Sequence, residues 1–526
     1  MTAKKLVEKG YLPQELPPPF SSLLFSNAIV DAIADLPAQY FQTNGPREIS
    51  KPLNHNLARV GSLRRKLSIP NPISFHELSF FIERNWTQLE QLSSRSTISF
   101  SVPTISPNSL RALSRKHSFD ILPYARANVR SGMRYILKTD INSFYPSVYT
   151  HSIPWAIHTK AIAKANHSQQ LIGNQIDKIV RDGQDQQTIG IPIGPDTSLL
   201  IAELILSDID SKLPANIISH ALRYVDDYEI GFRTLAEAES TLAGLQSLLA
   251  EYELQLNPRK TGISDLPQTL ASPWVIELRS QRIRQTQRSQ ATDILTLVDR
   301  AMLLMQQYRD ESVLKYTLSI IRSNQIAEAN WGFYQDILLQ CAVIEPGTLD
   351  TVVGELLKYR IAGMQIDRLK IHDALESIIL HHAPLEHGSE IAWAVWCCIL
   401  FNINIGQEAT KALTQVEDPI VALLTLFAKS KGLLHATASF TKWSEVMTTP
   451  GLCDSQWMLA YEAGVKGWLP SHNVADHIGE HPYFNWLRQS GVSFFDTNAV
   501  NVITPPGEVD EYEAEANFLS VLGFSQ

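Results

Sequence analysis

The stretch ALRYVDDYEIGF, residues 221–232, sets two adjacent aspartates, Asp226 and Asp227, between two short apolar runs. The alternation on either side predicts an antiparallel hairpin with both carboxylates at its tip. Adjacent carboxylates repel each other unless a cation lies between or near them. The hairpin therefore restricts the chain to folds that bring a metal ion or another positive charge to the edge of a sheet.

Asp140 is the candidate third carboxylate. It ends the predicted strand RYILKTD within the strand-like stretch 134–141 and precedes INSFYPS, where the chain turns into a helix. A strand beside the hairpin would place Asp140, Asp226 and Asp227 at one edge of the sheet. Three oxygen donors in a small space suit Mg²⁺, which takes its other ligands from water and substrate phosphates. Two such ions can serve an in-line phosphoryl transfer, so the pattern indicates polymerase chemistry.

Four motifs follow one another in the first half of the chain. They are DINSFYPS from Asp140, GIPIGPDTS from Gly190, YVDD from Tyr224 and LNPRKT from Leu256. In this order they resemble the two metal-binding motifs, the intervening loop-and-helix motif and the later lysine-bearing motif of reverse transcriptases. The stretch FYPSVYTHSIPWAIHTK (144–160) and the GIPIGPDTS loop further resemble the bacterial abortive-infection, or defence-associated, reverse transcriptases of the AbiK/AbiA-like group.

The resemblance implies a role for each matching residue. Asp140, Asp226 and Asp227 would bind two Mg²⁺ ions, and Lys260 would approach the leaving phosphate. The incoming deoxynucleoside triphosphate would be contacted by Arg111, Tyr145 and Gly194. Among these, Arg111 would form a bidentate phosphate contact, and Tyr145 would block a ribose 2′-hydroxyl. Arg126, Arg130 and Arg134 are weaker candidates for phosphate contacts, with surface charges as the alternative.

Two departures from conventional reverse transcriptases bear on the product. Ile193 stands where those enzymes carry a glutamine that helps to hold the templated nucleotide, and the loop TISPNS lacks an expected lysine. Members of the resembled group extend DNA without a template, attach it to one of their own tyrosines and act against phage. We therefore expect an Mg²⁺-dependent DNA polymerase, a nucleotidyltransferase, that is template-independent, protein-primed and active in abortive infection.

The priming residue and the mode of synthesis stay open at this stage. Tyr40 is the first candidate for the priming tyrosine, with Tyr11 and Tyr512 as alternatives. One alternative function is an RNA-templated reverse transcriptase that uses a bound non-coding RNA. Another is a non-catalytic nucleic-acid-binding scaffold.

The predicted fold class is α+β, with a change of character near residue 268. Residues 1–268 alternate strand-like segments with helices predicted at 196–212 and 236–255, which suits the fingers and palm of a right-hand polymerase. Asp196, Thr197 or Ser198 would cap the first of these helices. Residues 269–526 consist of successive helical runs, which predict an all-α, HEAT-like helical repeat domain, with a plain helical bundle as the alternative.

Charge and cysteine usage bear on partners and compartment. The whole chain carries a net charge of −9, yet residues 51–138 hold 14 Lys and Arg against four Asp and Glu, which predicts a surface for phosphate-rich ligands. The expected partners are deoxynucleotides, a single-stranded DNA product that is covalently attached, RNA in the templated alternative, and a second copy of the chain.

Four cysteines without CxxC spacing predict neither disulfides nor a zinc site. The histidines at 372, 381, 382 and 387 show no metal-ligand spacing. No signal peptide or membrane span is predicted, so we expect a cytoplasmic protein.

Overall fold

The computed structural model describes residues 1–41, 48–60, 64–107, 109–118 and 121–501. Helices predominate, and short strands are confined to the first half of the described chain. The strands are β1 (Leu53–Ala58), β2 (Arg64–Ile69), β3 (Pro103–Thr104), β4 (Ser114–Arg115), β5 (Tyr135–Asp140), β6 (Ala221–Tyr224), β7 (Asp227–Phe232) and β8 (Gly262–Asp265).

Helices precede, separate and follow the strands. In the first half they are α1 (Ala3–Gly10), α2 (Leu23–Asp31), α3 (Pro72–Ser93), α4 (Leu122–Arg130), α5 (Phe144–Ser147), α6 (Ser152–His158), α7 (Lys160–Ala165), α8 (Ile172–Asp182), α9 (Asp196–Asp210), α10 (Ala215–Ile218) and α11 (Leu235–Glu251). In the second half they are α12 (Pro273–Arg279), α13 (Gln287–Gln307), α14 (Val313–Arg322), α15 (Trp331–Ile344), α16 (Leu349–Ile361), α17 (Arg368–His382), α18 (Gly388–Phe401), α19 (Gln407–Leu413), α20 (Pro419–Ser430), α21 (Thr441–Ser444), α22 (Trp457–Val465) and α23 (Pro482–Gln489).

The main sheet has four antiparallel strands in the order β6-β7-β5-β8. Strand β7 is buried along its whole length, because α11 packs on β5 and β7 while α4 packs on β6 and β7. Two residues, Val225 and Asp226, join β6 to β7. The predicted hairpin is therefore present, and it lies next to the strand that ends at Asp140.

The two predicted helices are also present, as α9 and α11. Helix α11 begins with a capping box, in which Thr234 and Glu237 satisfy each other's backbone N–H groups. The predicted cap of α9 is wrong, because Pro195 precedes the helix and Asp196 is its first residue. The carboxylate of Asp196 accepts hydrogen bonds from Arg111 and from the backbone of Leu113 instead.

From residue 273 to residue 489, the described chain forms helices and no strands. Several of these helices pack against the next helix but one, as α15 does with α17, α16 with α18, α18 with α20 and α20 with α22. This order of contacts is expected of stacked helix pairs, in which each unit touches only its neighbours. The all-α character of this half is thus observed, whereas its assignment as HEAT-like stays a prediction.

The buried clusters cut across the predicted division into 1–268 and 269–526. One cluster joins side chains from residues 3–75 to side chains from residues 274–499, and a second lies mainly within residues 78–254. Tyr11 illustrates the first cluster, since its ring stacks on Phe75 at 4.2 Å and approaches Phe494 at 6.2 Å. The amino-terminal segment therefore shares its core with the helical half.

Among the helices of the described ranges, none is both long enough and apolar enough to span a bilayer.

Candidate active site

The three predicted aspartates meet at one end of the main sheet. In the β5–β7 register, Asp140 is the direct partner of Asp227, and the backbone N–H of Ile141 donates to the carbonyl of Asp226 at 3.2 Å. Asp140 and Asp227 are buried, whereas Asp226 at the hairpin tip is partly exposed. Strand pairing alone therefore brings together two residues that lie 87 positions apart in the sequence (227 minus 140).

Lys260 lies beside this group. Its Nζ donates to Asp140 Oδ2 at 2.6 Å, and the loop that carries it is tied down because the N–H of Asn257 donates to the carbonyl of Asp140 at 2.9 Å. The other carboxylate oxygen, Asp140 Oδ1, is buried and has no hydrogen-bond partner in the described part of the chain. A buried carboxylate oxygen without a partner is costly unless a ligand satisfies it.

The pKa values of Asp226 and Asp227 also favour a bound ligand, in this case a cation. Burial, with a further contribution from the nearby Asp140 carboxylate, raises the pKa of Asp226 to about 6. The pKa of Asp227 lies well above its usual range, first because of burial and then because of the charge of Asp226. Lys260 opposes both shifts without cancelling them. The site therefore has an excess of negative charge that a bound cation would neutralise.

These residues fit a divalent cation by their chemistry. They supply hard carboxylate oxygens, one of them buried without a partner, and carboxylates of this kind are what Mg²⁺ takes from proteins. Within the described ranges, two clusters elsewhere in the chain bring three ligand atoms within 4.8 Å of one another. The three aspartates do not form such a cluster. The prediction of two Mg²⁺ ions at Asp140, Asp226 and Asp227 stays a prediction.

A buried arginine supports the hairpin tip from below. Arg223 on β6 forms a bidentate pair with Glu203 at 2.8 and 3.0 Å and a second ion pair with Asp210 at 2.8 Å. All three side chains are essentially inaccessible to solvent. Burial alone would lower the pKa of Arg223, but the two carboxylates outweigh burial and hold it well above its usual range. Sequence reasoning missed this network, although acidic residues inside the otherwise apolar helix α9 were its signal.

The same arginine holds an unfavourable backbone conformation in place. Val225 has a φ of 49°, which is strained for a β-branched residue. Its carbonyl accepts from Arg223 Nη1 at 2.7 Å, and its N–H donates to Ser101 Oγ at 2.8 Å. Ser101 in turn donates to Glu203 at 2.8 Å. The turn that presents Asp226 is therefore fixed by the buried charges beneath it.

Two arginines of the β1–β2 hairpin lie within electrostatic range of Asp226, and sequence reasoning named neither. Arg59 and Arg65 both interact electrostatically with Asp226. Burial and the charge of Arg59 lower the pKa of Arg65 to about 10, whereas Asp226 and Tyr145 act in the opposite direction. The hairpin also touches the GIPIGPDTS loop, because the N–H of Ser68 donates to the carbonyl of Ile193 at 2.9 Å. The signal in the sequence was the basic run at 64–66 within the basic region 51–138.

The helical half anchors this hairpin. His55 Nδ1 and Asp418 Oδ2 form a buried pair at 2.7 Å, and the N–H of Ala58 donates to Ser389 Oγ at 2.8 Å. Arg64 pairs with the buried carboxylate of Glu390. Residues from α18 and from the cap of α20 therefore determine where the hairpin, and with it Arg65, is held.

Arg111 is not placed for the phosphate contact that the sequence predicts. It is buried, pairs with Asp196 and donates to the carbonyls of Leu12 at 3.0 Å and Gly194 at 2.7 Å. A phosphate contact would require it to leave a buried carboxylate, which is unfavourable. In this structure Arg111 positions the GIPIGPDTS loop at the start of α9.

The other two residues predicted to contact the nucleotide are connected through the GIPIGPDTS loop, which contains Gly194 and hydrogen-bonds to Tyr145. The carbonyl of Tyr145 accepts from the N–H of Ile191 at 2.9 Å, and its half-buried ring packs edge-on against Phe144. Gly194 has a φ of +128°, and a Cβ added there would lie 2.8 Å from Pro13. Glycine is therefore needed at this position both for its backbone conformation and for the close approach of the amino-terminal segment.

Two of the weaker arginine candidates have structural partners. Arg126 and Arg130 both pair with the fully buried Glu229 of β7, at 3.2 and 2.8 Å. They also donate to backbone carbonyls at 268–270. These contacts hold α4 and the segment after β8 against the sheet, and they do not place either guanidinium as a free phosphate ligand.

The three tyrosines considered for priming differ in accessibility. Tyr11 is fully buried and donates to the carbonyl of Pro70 at 2.6 Å, so its hydroxyl is not available as a primer in this structure. Tyr40 is half-buried, donates to Glu48 Oε2 at 2.9 Å and packs against Tyr483. Tyr512 lies outside the described residues.

Comparison with known proteins gives a family match over the part of the chain that holds the aspartates. Residues 82–288 match the family model described as "Reverse transcriptase (RNA-dependent DNA polymerase)". No curated protein matches the chain. Among solved structures, apo telomerase from Candida tropicalis is 12% identical, covers 76% of this chain and 73% of its own, and has a TM-score of 0.31. Telomerase from Candida albicans in complex with a fragment of telomeric RNA is 12% identical, covers 80% and 67%, and has a TM-score of 0.27.

Replacing Arg223 tests the support of the hairpin tip. We expect Arg223→Met to lower the free energy of unfolding by roughly 3–5 kcal/mol, because Glu203 and Asp210 would remain buried without their counter-charge. Urea unfolding followed by circular dichroism measures the change. The control is Arg233→Met, at an exposed position ten residues along the chain, which should alter stability by less than about 0.5 kcal/mol. Equal effects of the two substitutions would contradict this role for Arg223.

The raised pKa of Asp226 predicts a pH-dependent stability. Its pKa rises from 3.8 to about 6 on folding, so the folded state binds the proton more tightly and loses stability as pH increases through this window. Without divalent cations, Asp226→Asn should therefore be more stable than the wild type at pH 7, by on the order of 1–3 kcal/mol. The difference should shrink towards pH 4. Thermal unfolding at pH 4, 5, 6 and 7 checks it, and a difference independent of pH would contradict the assignment.

Proposed function

We propose that this chain, which carries a reverse-transcriptase-type polymerase domain over residues 82–288, joins deoxynucleotides by Mg²⁺-dependent phosphoryl transfer at Asp140, Asp226 and Asp227. The observation that supports this proposal best is the buried, unpartnered Oδ1 of Asp140 in a site with excess negative charge. Such an arrangement suits a bound cation and serves no evident purpose in a purely structural hairpin.

The surrounding residues have separate roles in the proposed reaction. When bound, Mg²⁺ would neutralise phosphate charge and favour ionisation of the attacking hydroxyl. Lys260, held at 2.6 Å from Asp140, would lie on the side of the leaving phosphate. Arg59 and Arg65 would bind the triphosphate from the β1–β2 hairpin. Tyr145, which interacts electrostatically with Arg65, would exclude a ribose 2′-hydroxyl and so favour deoxynucleotides.

We further propose that synthesis is template-independent and protein-primed. Ile193 replaces the glutamine that conventional reverse transcriptases use at the templated nucleotide, and Pro13 of the amino-terminal segment closes against the adjacent Gly194. Tyr40 is the proposed primer because Tyr11 is buried. The proposal also includes a role in abortive infection, which the family resemblance implies. A cytoplasmic location and a homo-oligomeric state are expected from the sequence.

RNA-templated synthesis is the second candidate. Two observations favour it: the matching family model is described as an RNA-dependent DNA polymerase, and residues 51–138 carry 14 basic side chains against four acidic ones. An RNA strand is a ligand of the kind that such a charged region attracts. The experiment below therefore separates the two modes of synthesis.

The test uses the purified full chain with Mg²⁺ and labelled deoxynucleotides, without added primer or template. We expect label on the protein that protease releases and that ribonuclease pretreatment leaves unchanged. Asp226→Asn should reduce incorporation by at least about 10³-fold, since a metal ligand is lost, while the protein stays folded. Tyr40→Phe should abolish the covalent attachment if Tyr40 is the primer.

Three other outcomes would contradict parts of the proposal. Label that depends on RNA would favour the templated alternative. Attachment that persists in Tyr40→Phe would reject Tyr40 as the primer without affecting the polymerase assignment. Full antiphage activity of Asp226→Asn in cells would support the non-catalytic scaffold instead.

The anchoring of the β1–β2 hairpin predicts a kinetic effect of a distant residue. Glu390→Gln removes the carboxylate that holds Arg64, so Arg59 and Arg65 should be less well positioned for the triphosphate. We expect the KM for deoxynucleotide to rise roughly 5- to 30-fold, equivalent to about 1–2 kcal/mol, with kcat changed by less than about threefold. Steady-state incorporation measures both constants.

The matched control for this prediction is Glu408→Gln, at an exposed helix position paired with Lys411, which should change neither constant. An unchanged KM in Glu390→Gln would show that the hairpin keeps its place without this ion pair. Equal losses of kcat and kcat/KM would instead indicate general damage to the fold.

A further inference from the structure

Three metal-ligating side chains from distant parts of the sequence meet where the segment before β1 touches the carboxyl-terminal helices. Glu48 Oε1 lies 2.7 Å from His481 Nε2, and Cys453 Sγ lies 3.4 Å from each of these two atoms. His481 is buried and precedes α23, while Cys453 and Glu48 are partly accessible. This cluster is separate from the aspartate site.

The geometry differs from that of a nucleophile with its base. In a Cys–His–acid triad, the thiol and the acid contact opposite nitrogens of the imidazole. Here both contact the same nitrogen, Nε2 of His481, so the three ligand atoms converge on one point. A metal ion requires such convergence, here of one sulfur, one nitrogen and one oxygen.

The distances and donor types suit zinc. Tetrahedral bonds of about 2.0–2.3 Å place neighbouring ligand atoms roughly 3.3–3.7 Å apart. The two sulfur distances already meet this requirement, and the nitrogen–oxygen pair would open by roughly 0.6 Å. Three protein ligands leave the fourth position to water. A mixture of thiolate, imidazole and carboxylate favours Zn²⁺ over the hard cations that bind only oxygen.

We propose that Glu48, Cys453 and His481 form a Zn²⁺ site that ties the segment leading into β1 to the carboxyl-terminal helices. Without the ion, the thiol of Cys453 donates to Glu48 Oε1, and Tyr40 donates to the other oxygen of the same carboxylate. Zn²⁺ replaces the thiol proton and forms one bond each to Sγ, Nε2 and Oε1. The thiol proton is released to solvent, the proton that His481 Nε2 donates to Glu48 moves to Nδ1 of the same imidazole, and the hydrogen bond from Tyr40 to Oε2 is kept.

The cluster is accessible from one side. The Glu48 side chain is 32% exposed, which leaves an entry path for an ion.

The other convergent cluster in the described ranges is unsuited to a cation. His382, His387 and Glu390 bring three ligand atoms together. However, Arg64 already donates to Nδ1 of His387, the nitrogen that faces His382, and it pairs with Glu390. A guanidinium therefore occupies the position that a metal ion would need. This contrast makes the second cluster a useful control.

Cobalt provides the probe, because a thiolate–Co²⁺ bond gives a near-ultraviolet charge-transfer band that oxygen and nitrogen ligands do not. The full chain is treated with chelator, exchanged into saturating Mg²⁺ and titrated with Co²⁺. We expect one equivalent to produce the band and Zn²⁺ to displace it. Cys453→Ser should abolish the band, and His481→Gln should weaken binding by at least about tenfold. The matched control, His387→Gln, should bind like the wild type.

The Co²⁺ band does not depend on polymerase activity. The experiment therefore tests the zinc site separately from the proposed function. Absence of the band in the folded wild-type chain, or an unchanged band in Cys453→Ser, would overturn the proposal and leave a hydrogen-bonded cluster. If Cys453→Ser does not fold, Glu48→Gln decides the question, because it keeps the sulfur and should still weaken Co²⁺ binding by about tenfold.

Discussion

The buried ion pair between Arg223 and Glu203 is the interaction on which the aspartate site depends. It places a guanidinium directly beneath the β6–β7 turn, where one of its N–H groups holds the carbonyl of the strained Val225. Asp210 forms a second ion pair with Arg223 and also accepts from Ser96 and Tyr228. Because each carboxylate oxygen of the pair is satisfied, the buried charges specify one conformation of the turn instead of destabilising it.

The helical half of the chain also contributes to the site. It holds the β1–β2 hairpin through Glu390 and Asp418, and that hairpin carries the arginines that face Asp226. The amino-terminal segment, whose core side chains pack among the carboxyl-terminal helices, also reaches Gly194. The domain that holds the aspartates and the helical half are therefore coupled through shared packing around the GIPIGPDTS loop. A change in the helices can reach the site through the hairpin without altering the aspartates.

Much of the site was predictable because its main residues belong to short sequence patterns. The strand ending at Asp140, the hairpin at 221–232 and the later lysine each follow from alternation, turns and motif order, and the structure brings all of them to one end of the sheet. The functions of individual arginines were not predictable in this way. Arg111 resembled a phosphate ligand in sequence yet pairs with Asp196, whereas Arg65, which the motifs do not include, faces Asp226. A basic side chain takes its role from the nearest carboxylate in space, and that neighbour is not local in sequence.

The sequence by itself determined the antiparallel hairpin, the aspartate pair at its tip and the change from mixed to helical structure, since periodicity and turn chemistry act within a few residues. Only the tertiary structure decided which charges are buried together and which segments share a core. Arg223 meets Glu203 across 20 positions, Arg64 meets Glu390 across 326 (390 minus 64), and Glu48 meets His481 across 433. Such pairs depend on how whole elements pack, because a buried charge is stable only where folding brings its partner within hydrogen-bonding distance.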